Sequence, residues 1–151
     1  MRTAIFAGTF DPFTIAHKDI VVRALPLFDR IVIGIGINQD KQPLFPLEDR
    51  LARICNAFAD EKKVSVETYD TLTIDFARKH SAQFLLRGIR TISDFEYERT
   101  MADANRQLTA DEDNSSLETV LFLSLPQYAH ISSSLVRDLY KHGYDISPFI
   151  V

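Results

Sequence analysis

Tryptophan is absent, and cysteine occurs once in 151 residues, at Cys55. A single thiol excludes an intrachain disulfide and a multi-cysteine metal site. Its place in an amphipathic helical pattern predicts that it fills the core. Five glycines and six prolines form no low-complexity tract, and no internal repeat or domain boundary is visible. Neither the dinucleotide fingerprint nor the P-loop pattern is present. No apolar run approaches the length needed to span a bilayer, which argues against a membrane protein. Excess positive charge is also missing: the net charge of −4 provides no global field for nucleic acid. Met1-Arg2-Thr3 leads straight into an apolar stretch, so no signal peptide is expected. Together these features predict a cytoplasmic location. The length fits one domain, residues 1–151, around one core.

What is present is a regular alternation. Apolar, β-branched segments predict strands at 3–7, 30–36, 63–68, 83–87 and 118–124. Helical periodicity falls between and after them, near 17–28, 47–59, 73–80, 94–108 and 133–141. Arg30-Ile31-Val32-Ile33-Gly34-Ile35-Gly36 is apolar on both faces, as an interior parallel strand should be. The prediction is an α/β fold: a Rossmann-like, doubly wound parallel sheet of five strands with helices on both faces. Local punctuation adds detail. Ser93-Asp94-Phe95-Glu96 has capping-box spacing and predicts a helix start at Ser93. Pro46 fits the first turn of the second helix, with Glu48 and Asp49 near its positive end. Gly143 after Lys141-His142 predicts a helix stop. Pro26 is expected to end or bend the first helix, and the acidic stretch 109–116 reads as a solvated loop.

The most informative run is Gly8-Thr9-Phe10-Asp11-Pro12-Phe13-Thr14-Ile15-Ala16-His17. A glycine turn leaves a short buried strand, and a histidine stands at the mouth of the next helix. Backbone N–H groups there lack intrahelical partners and the helix dipole favours anions, so the unit is suited to phosphate. A second block, Leu86-Arg87-Gly88-Ile89-Arg90, closes the fourth strand. Its glycine is expected to turn the chain past a ligand, and guanidinium groups grip phosphate oxygens through paired hydrogen bonds. A third block, Ile131-Ser132-Ser133-Ser134-Leu135-Val136-Arg137, places three hydroxyls at a helix start. Alone it is an N-cap; beside the other two it reads as a second phosphate cradle. Lys41, Arg87, Arg90 and Arg137 all fall near predicted strand ends, where open α/β sheets bind ligands.

Thr14-Ile15-Ala16-His17 resembles the T/HxGH motif of the nucleotidylyltransferase superfamily. With Arg87-Gly88-Ile89-Arg90, Asp94-Phe95-Glu96-Tyr97-Glu98 and Asp75-Phe76-Ala77-Arg78 in consistent order, the chain resembles the bacterial phosphopantetheine adenylyltransferases. The likeness runs from Thr3 to about Gly143 and implies one nucleotidylyltransferase domain. The implied reaction is reversible transfer of the adenylyl group of ATP to 4′-phosphopantetheine, giving dephospho-coenzyme A and pyrophosphate in coenzyme A biosynthesis. By the same resemblance Thr9 and Phe10 meet the triphosphate, and Thr9 also orients the acceptor phosphate. His17 touches the ATP phosphates and stabilises the transition state, with Lys41 and Arg90 beside it in catalysis. Lys41 and Arg87 hold the 4′-phosphate, and Thr73 lies near the pantetheine arm. Gly88, Ile89, Arg90, Glu98 and the segment Tyr128, Ala129, His130, Ile131, Ser132, Ser133 and Ser134 line the ATP site. A homohexamer is implied by resemblance alone.

Two positions depart from the family pattern. Ala16 stands where the motif has glycine, leaving less room between backbone and phosphate. Thr73 replaces a larger apolar residue, which changes the expected shape of the acceptor pocket. The acceptor phosphate is already nucleophilic, so positioning and electrostatics must supply the rate. Mg²⁺ is expected to arrive with ATP, because no carboxylate cage is visible and no metal ligand is assigned. Asp11 reads either as a helper for that cation or as a turn-forming residue before Pro12. Coenzyme A shares the pantetheine arm and adenosine of the product and is expected to compete as a feedback inhibitor. Two other readings stay open: transfer to nicotinamide mononucleotide or glycerol phosphate, and a nucleotide-binding module without turnover.

Overall fold

The computed structural model describes residues 1–110 and 116–151. Five parallel strands, β1 (Thr3–Gly8), β2 (Arg30–Gly36), β3 (Val64–Tyr69), β4 (Phe84–Ile89) and β5 (Glu118–Leu123), form one sheet in the order β3-β2-β1-β4-β5. The order reverses direction between β1 and β4. In an open parallel sheet, that switch point opens a crevice at the carboxyl ends of the strands. Gly8 of β1 and the end of β4 with Arg87, Gly88 and Ile89 therefore face one another across it.

Strand alternation sorts the core. Ala4 and Phe6 of β1 pack with Ile31, Ile33 and Ile35 of β2 against α1 (Ile15–Ala24) and α2 (Leu47–Ala57). Ile5 and Ala7 point the other way, with Val32 and Leu85, against Ile74, Phe76 and Ala77 of α3 (Thr73–Lys79). Both faces are covered, so β2 is apolar throughout, as its sequence predicts. Each large side chain removed completely from water in this way contributes about 1.5–3 kcal/mol. A third cluster joins Ala16 of α1 to Ile131 and to Val136 of α5 (Ser133–Lys141), fixing α5 against the start of α1.

Several boundaries differ from the sequence reading, each for a physical reason. α1 spans Ile15–Ala24, not 17–28: Thr14 caps it, and Leu25 ends it ahead of Pro26. Strand β4 continues through Gly88 and Ile89, which pair with Phe122 and Leu123. Gly88 is thus a strand residue and not a turn. A Cβ there would overlap the end of the Ile20 side chain, so the glycine leaves Ile20 room to pack over β4. The long helix α4 (Ile92–Thr109) is capped by Thr91, not Ser93. Thr91 Oγ1 accepts the Asp94 N–H at 3.1 Å, and Asp94 Oδ2 accepts the N–H groups of Thr91 and Arg90 at 3.3 and 2.9 Å. Pro46 is the N-cap of α2 and lies outside its first turn. Gly143 follows α5 with φ of 80°, the left-handed stop expected of it. Cys55 is exposed, because the apolar stripe of α2 runs through Leu47, Leu51 and Ile54 to Phe58 and bypasses it. Of the loop expected at 109–116, residues 111–115 lie outside the described residues. Thr109 belongs to α4, where its buried hydroxyl accepts the Leu117 N–H at 2.9 Å.

Candidate active site

The turn from β1 to α1 is held from several directions. The Thr9 carbonyl accepts Arg50 Nη1 at 2.7 Å, the Asp11 carbonyl accepts Arg137 Nη1 at 2.9 Å, and the Pro12 carbonyl accepts the Ser133 hydroxyl at 2.8 Å. The Asp11 carboxylate accepts two backbone N–H groups, from Leu44 at 2.8 Å and Phe45 at 2.9 Å. Each oxygen of the carboxylate accepts one of these bonds, so Asp11 ties the turn to the segment after β2. Phe10 has φ of 49°, a strained left-handed conformation for a bulky residue. Its ring is buried, with centroids 5.2 Å from Phe6, 5.1 Å from Phe13 and 5.1 Å from His17.

His17 is the third residue of α1 and completes a capping box. Its Nδ1 accepts the Thr14 N–H at 2.9 Å, while its own N–H donates to Thr14 Oγ1 at 3.3 Å. A backbone N–H can only donate, so Nδ1 carries no proton. The neutral ring must then hold its proton on Nε2, which is left as a hydrogen-bond donor. Burial, followed by the neighbouring charges of Arg87 and Arg90, lowers the His17 pKa from 6.5 to about 4. At neutral pH this residue is an uncharged donor.

Across the crevice, Arg87 Nε and Nη2 both engage Glu98 Oε1, at 2.9 and 2.8 Å, and Nη1 donates to the Ala7 carbonyl at 2.8 Å. Glu98 is buried in α4 and orients the guanidinium. Arg90 is only loosely paired, 3.8 Å from Asp94, and leaves its charge directed at whatever fills the cavity. At the start of α5 the Ser132 hydroxyl caps the Leu135 N–H at 3.1 Å, so the first serine is an N-cap as its residue type predicts. Arg137 adds a bond to Ser134 Oγ at 3.1 Å.

Three adjoining cavities meet at Thr9. One, of about 430 Å³, has walls from Phe10, Ala16, His17, Gly88, Arg90 and Ile131–Ser134. A second, of about 480 Å³, has a more apolar lining that includes Ile37, Tyr69, Leu72, Thr73, Ile74 and Met101. Ala7, Gly8, Thr9, Arg87, Tyr97 and Glu98 form the wall common to both. The third, of about 650 Å³, lies under the segment after β2 and carries Lys41, Arg50, Arg137 and Lys141. The structure thus gathers Thr9, Phe10, His17, Arg87, Gly88, Arg90, Glu98 and Ile131–Ser134 around one crevice. Thr73 lies in the apolar cavity, its hydroxyl 3.0 Å from that of Tyr69. Lys41 is exposed and lines the third cavity, apart from Arg87. Tyr128, Ala129, His130 and Ile89 are not brought to the crevice wall: Tyr128 packs in the third core cluster, Ala129 and His130 are exposed, and Ile89 is buried.

This geometry agrees with the comparisons. The cytidylyltransferase-like family model matches residues 5–139. The chain is 53% identical over 150 residues to the phosphopantetheine adenylyltransferase of Phocaeicola vulgatus, covering 99% of this chain and 95% of that protein. It is 51% identical to the phosphopantetheine adenylyltransferases of Bacteroides fragilis and Bacteroides thetaiotaomicron, again over 99% of this chain and 96% and 95% of theirs. The chain belongs to the phosphopantetheine adenylyltransferase family.

Membership in this nucleotidyltransferase family leaves two site residues that sequence reasoning missed. Tyr97 lies on the wall common to the two cavities. Arg50 is 5% exposed and holds Thr9 from beneath. One signal for Arg50 was available: at i+3 from Leu47 and i−4 from Ile54, it interrupts the apolar stripe of α2, where an ordinary surface arginine would not sit.

Proposed function

We propose that the chain transfers the adenylyl group of MgATP to 4′-phosphopantetheine, releasing pyrophosphate and forming dephospho-coenzyme A. The observation that carries this reading is the wall shared by the two cavities. Thr9 and Arg87 border both a basic, hydroxyl-lined cavity suited to a nucleotide triphosphate and a more apolar one suited to a pantetheine arm. Two anions seated on either side meet there.

In the proposed reaction an oxygen of the acceptor phosphate bonds to the α-phosphorus of ATP. The bond from that phosphorus to the β-phosphate oxygen breaks, and its electrons leave with pyrophosphate. The attacking oxygen carries its own negative charge, so no side chain has to remove a proton. What the protein must supply is orientation and offsetting positive charge. Arg87, held by Glu98 and Ala7, fixes the acceptor phosphate from one side, and Lys41 approaches from the other. Arg90 and the Nε2–H of His17 attend the ATP phosphates as charge moves toward the leaving group. A neutral histidine suits this place, because it donates without drawing an acceptor proton into the exchange.

Mg²⁺ belongs with the nucleotide in this reading. The carboxylates on the phosphate cavity are engaged elsewhere: Asp11 with Leu44 and Phe45, Asp94 with Arg90 and Thr91, Glu98 with Arg87. The protein is further proposed to act in the cytoplasm as a homohexamer inhibited by coenzyme A. Exposed Ile92 on α4 and Leu123 on β5 support burial against further copies. No described helix is long and apolar enough to cross a membrane.

An acceptor panel tests the reading. With MgATP, 4′-phosphopantetheine should yield an adenylylated product by mass, whereas nicotinamide mononucleotide should not, nor glycerol 3-phosphate with CTP. Preferred use of either alternative would overturn it.

A further inference from the structure

Arg50 is a buried guanidinium with no carboxylate at ion-pair distance among the described residues. Its described partners are two carbonyl oxygens: Thr9 at 2.7 Å through Nη1 and Phe45 at 3.1 Å through Nε. A buried cation without a counter-charge is costly, and an aliphatic side chain would continue the α2 stripe more cheaply. The two carbonyls it joins belong to the phosphate-facing turn and to the segment that carries Lys41. Asp11 joins the same two pieces from the opposite end, accepting the N–H groups of Leu44 and Phe45. Lys41 stands only three positions before Leu44, with Pro43 between them, in a turn closed by Lys41 N–H on the Asn38 carbonyl at 3.2 Å.

We propose that Asp11 and Arg50 form a positioning clamp for Lys41. They hold its segment at a fixed distance from Thr9, so that the ammonium meets an acceptor phosphate anchored on Arg87. Neither residue needs to touch the substrate: each acts through the backbone of residues 44–45, and Arg50 through Thr9 as well. Arg50 and Lys41 also line the same cavity with Arg137 and Lys141, so the clamp adds positive charge behind the lysine it places. The inference rests on the adenylyl-transfer reading for its catalytic consequence, and on the hydrogen bonds alone for its structural one.

A double-mutant cycle tests the clamp. Asp11→Asn and Arg50→Lys should each lower kcat/KM for 4′-phosphopantetheine about 10–100-fold, the scale of a misplaced catalytic group, and in Asp11→Asn, which leaves the Arg50 bond to Thr9 in place, MgATP affinity should change less than about threefold. In a Lys41→Ala background Asp11→Asn should cost less than about twofold, because its effect passes through Lys41, and Arg50→Lys should lose most of its cost, keeping only the part that passes through Thr9. Equal losses in both backgrounds would overturn the proposal, as would an equal loss of MgATP binding in Asp11→Asn. The two variants probe opposite ends of the clamp, so if thermal melting shows that one does not fold, the other decides. Amide exchange at Leu44 and Phe45 gives a readout without activity: it should accelerate in Asp11→Asn, and unchanged exchange would refute the clamp. A wild-type protein that fails to turn over phosphopantetheine would sink the functional reading, and the exchange result would still judge the clamp.

Discussion

The Nδ1 atom of His17 accepts the backbone N–H of Thr14 at 2.9 Å, and this one bond assigns the proton of the neutral ring to Nε2. A residue that closes the cap of its own helix is thereby presented to the crevice as a donor. With a pKa lowered from 6.5 to about 4 by burial and by Arg87 and Arg90, His17 should not titrate between pH 6 and 8. Nitrogen NMR of labelled protein should show the Nε2–H tautomer throughout that range. The unfolded chain binds more protons than the folded one between pH 6.5 and about 4. The stability from neutral His17 is therefore complete above pH 6.5 and is lost as pH falls toward 4. A His17→Gln variant should lose less stability than wild type across that window.

His17→Ala should reduce kcat by roughly 10²–10³, the loss expected for one oxyanion-type donor. The variant also loses half of a capping box and ring contacts with Phe6, Phe10 and Phe13. A stability cost of about 1 kcal/mol should follow, lowering Tm by only a few degrees in a chain of this size. Steady-state kinetics alongside thermal melting separates the two effects.

Arg87→Ala should damage use of the acceptor more than binding of MgATP. It also strands the buried Glu98 carboxylate, so the single variant should be destabilised by about 2–3 kcal/mol. Combining it with Glu98→Gln should recover much of that stability without recovering acceptor use. Denaturant unfolding and acceptor kinetics on both proteins distinguish the anchoring role from the structural one.

Coenzyme A should raise the melting temperature and the apparent requirement for phosphopantetheine, since it carries both the adenosine and the pantetheine arm proposed for the two cavities. At 100 times its dissociation constant, mass action gives about 2.7 kcal/mol of stabilisation. Thermal melting in a ligand series and inhibition kinetics check this together.

The sheet was legible because buried parallel strands are written in β-branched runs such as Ile31-Val32-Ile33, which have few other uses. The carboxyl edge of β4 was less so, because Gly88 between two arginines looks like a turn until Ile20 is seen to occupy the space above it. Thr91 and Ser93 both have an acidic residue three positions on. The choice fell to Thr91 because Asp94 also collects the Arg90 N–H, a bond set by where β4 ends. The arginine and serine blocks were legible because phosphate chemistry restricts residue types, whereas Glu98 and the individual roles came from the family resemblance alone, which also named Tyr128, Ala129 and His130, away from the crevice wall. Arg50 showed in the sequence only as a break in the apolar stripe of α2, and its role did not, since its partners are carbonyls 41 and 5 positions away and carbonyls carry no residue signature.

The most direct measurement is pyrophosphate release from MgATP, followed with and without 4′-phosphopantetheine while dephospho-coenzyme A is counted by mass. Adenylyl transfer across the wall of Thr9 and Arg87 predicts one pyrophosphate per dephospho-coenzyme A and no release above background without the acceptor. Release that proceeds equally without phosphopantetheine, or none in its presence, would contradict it.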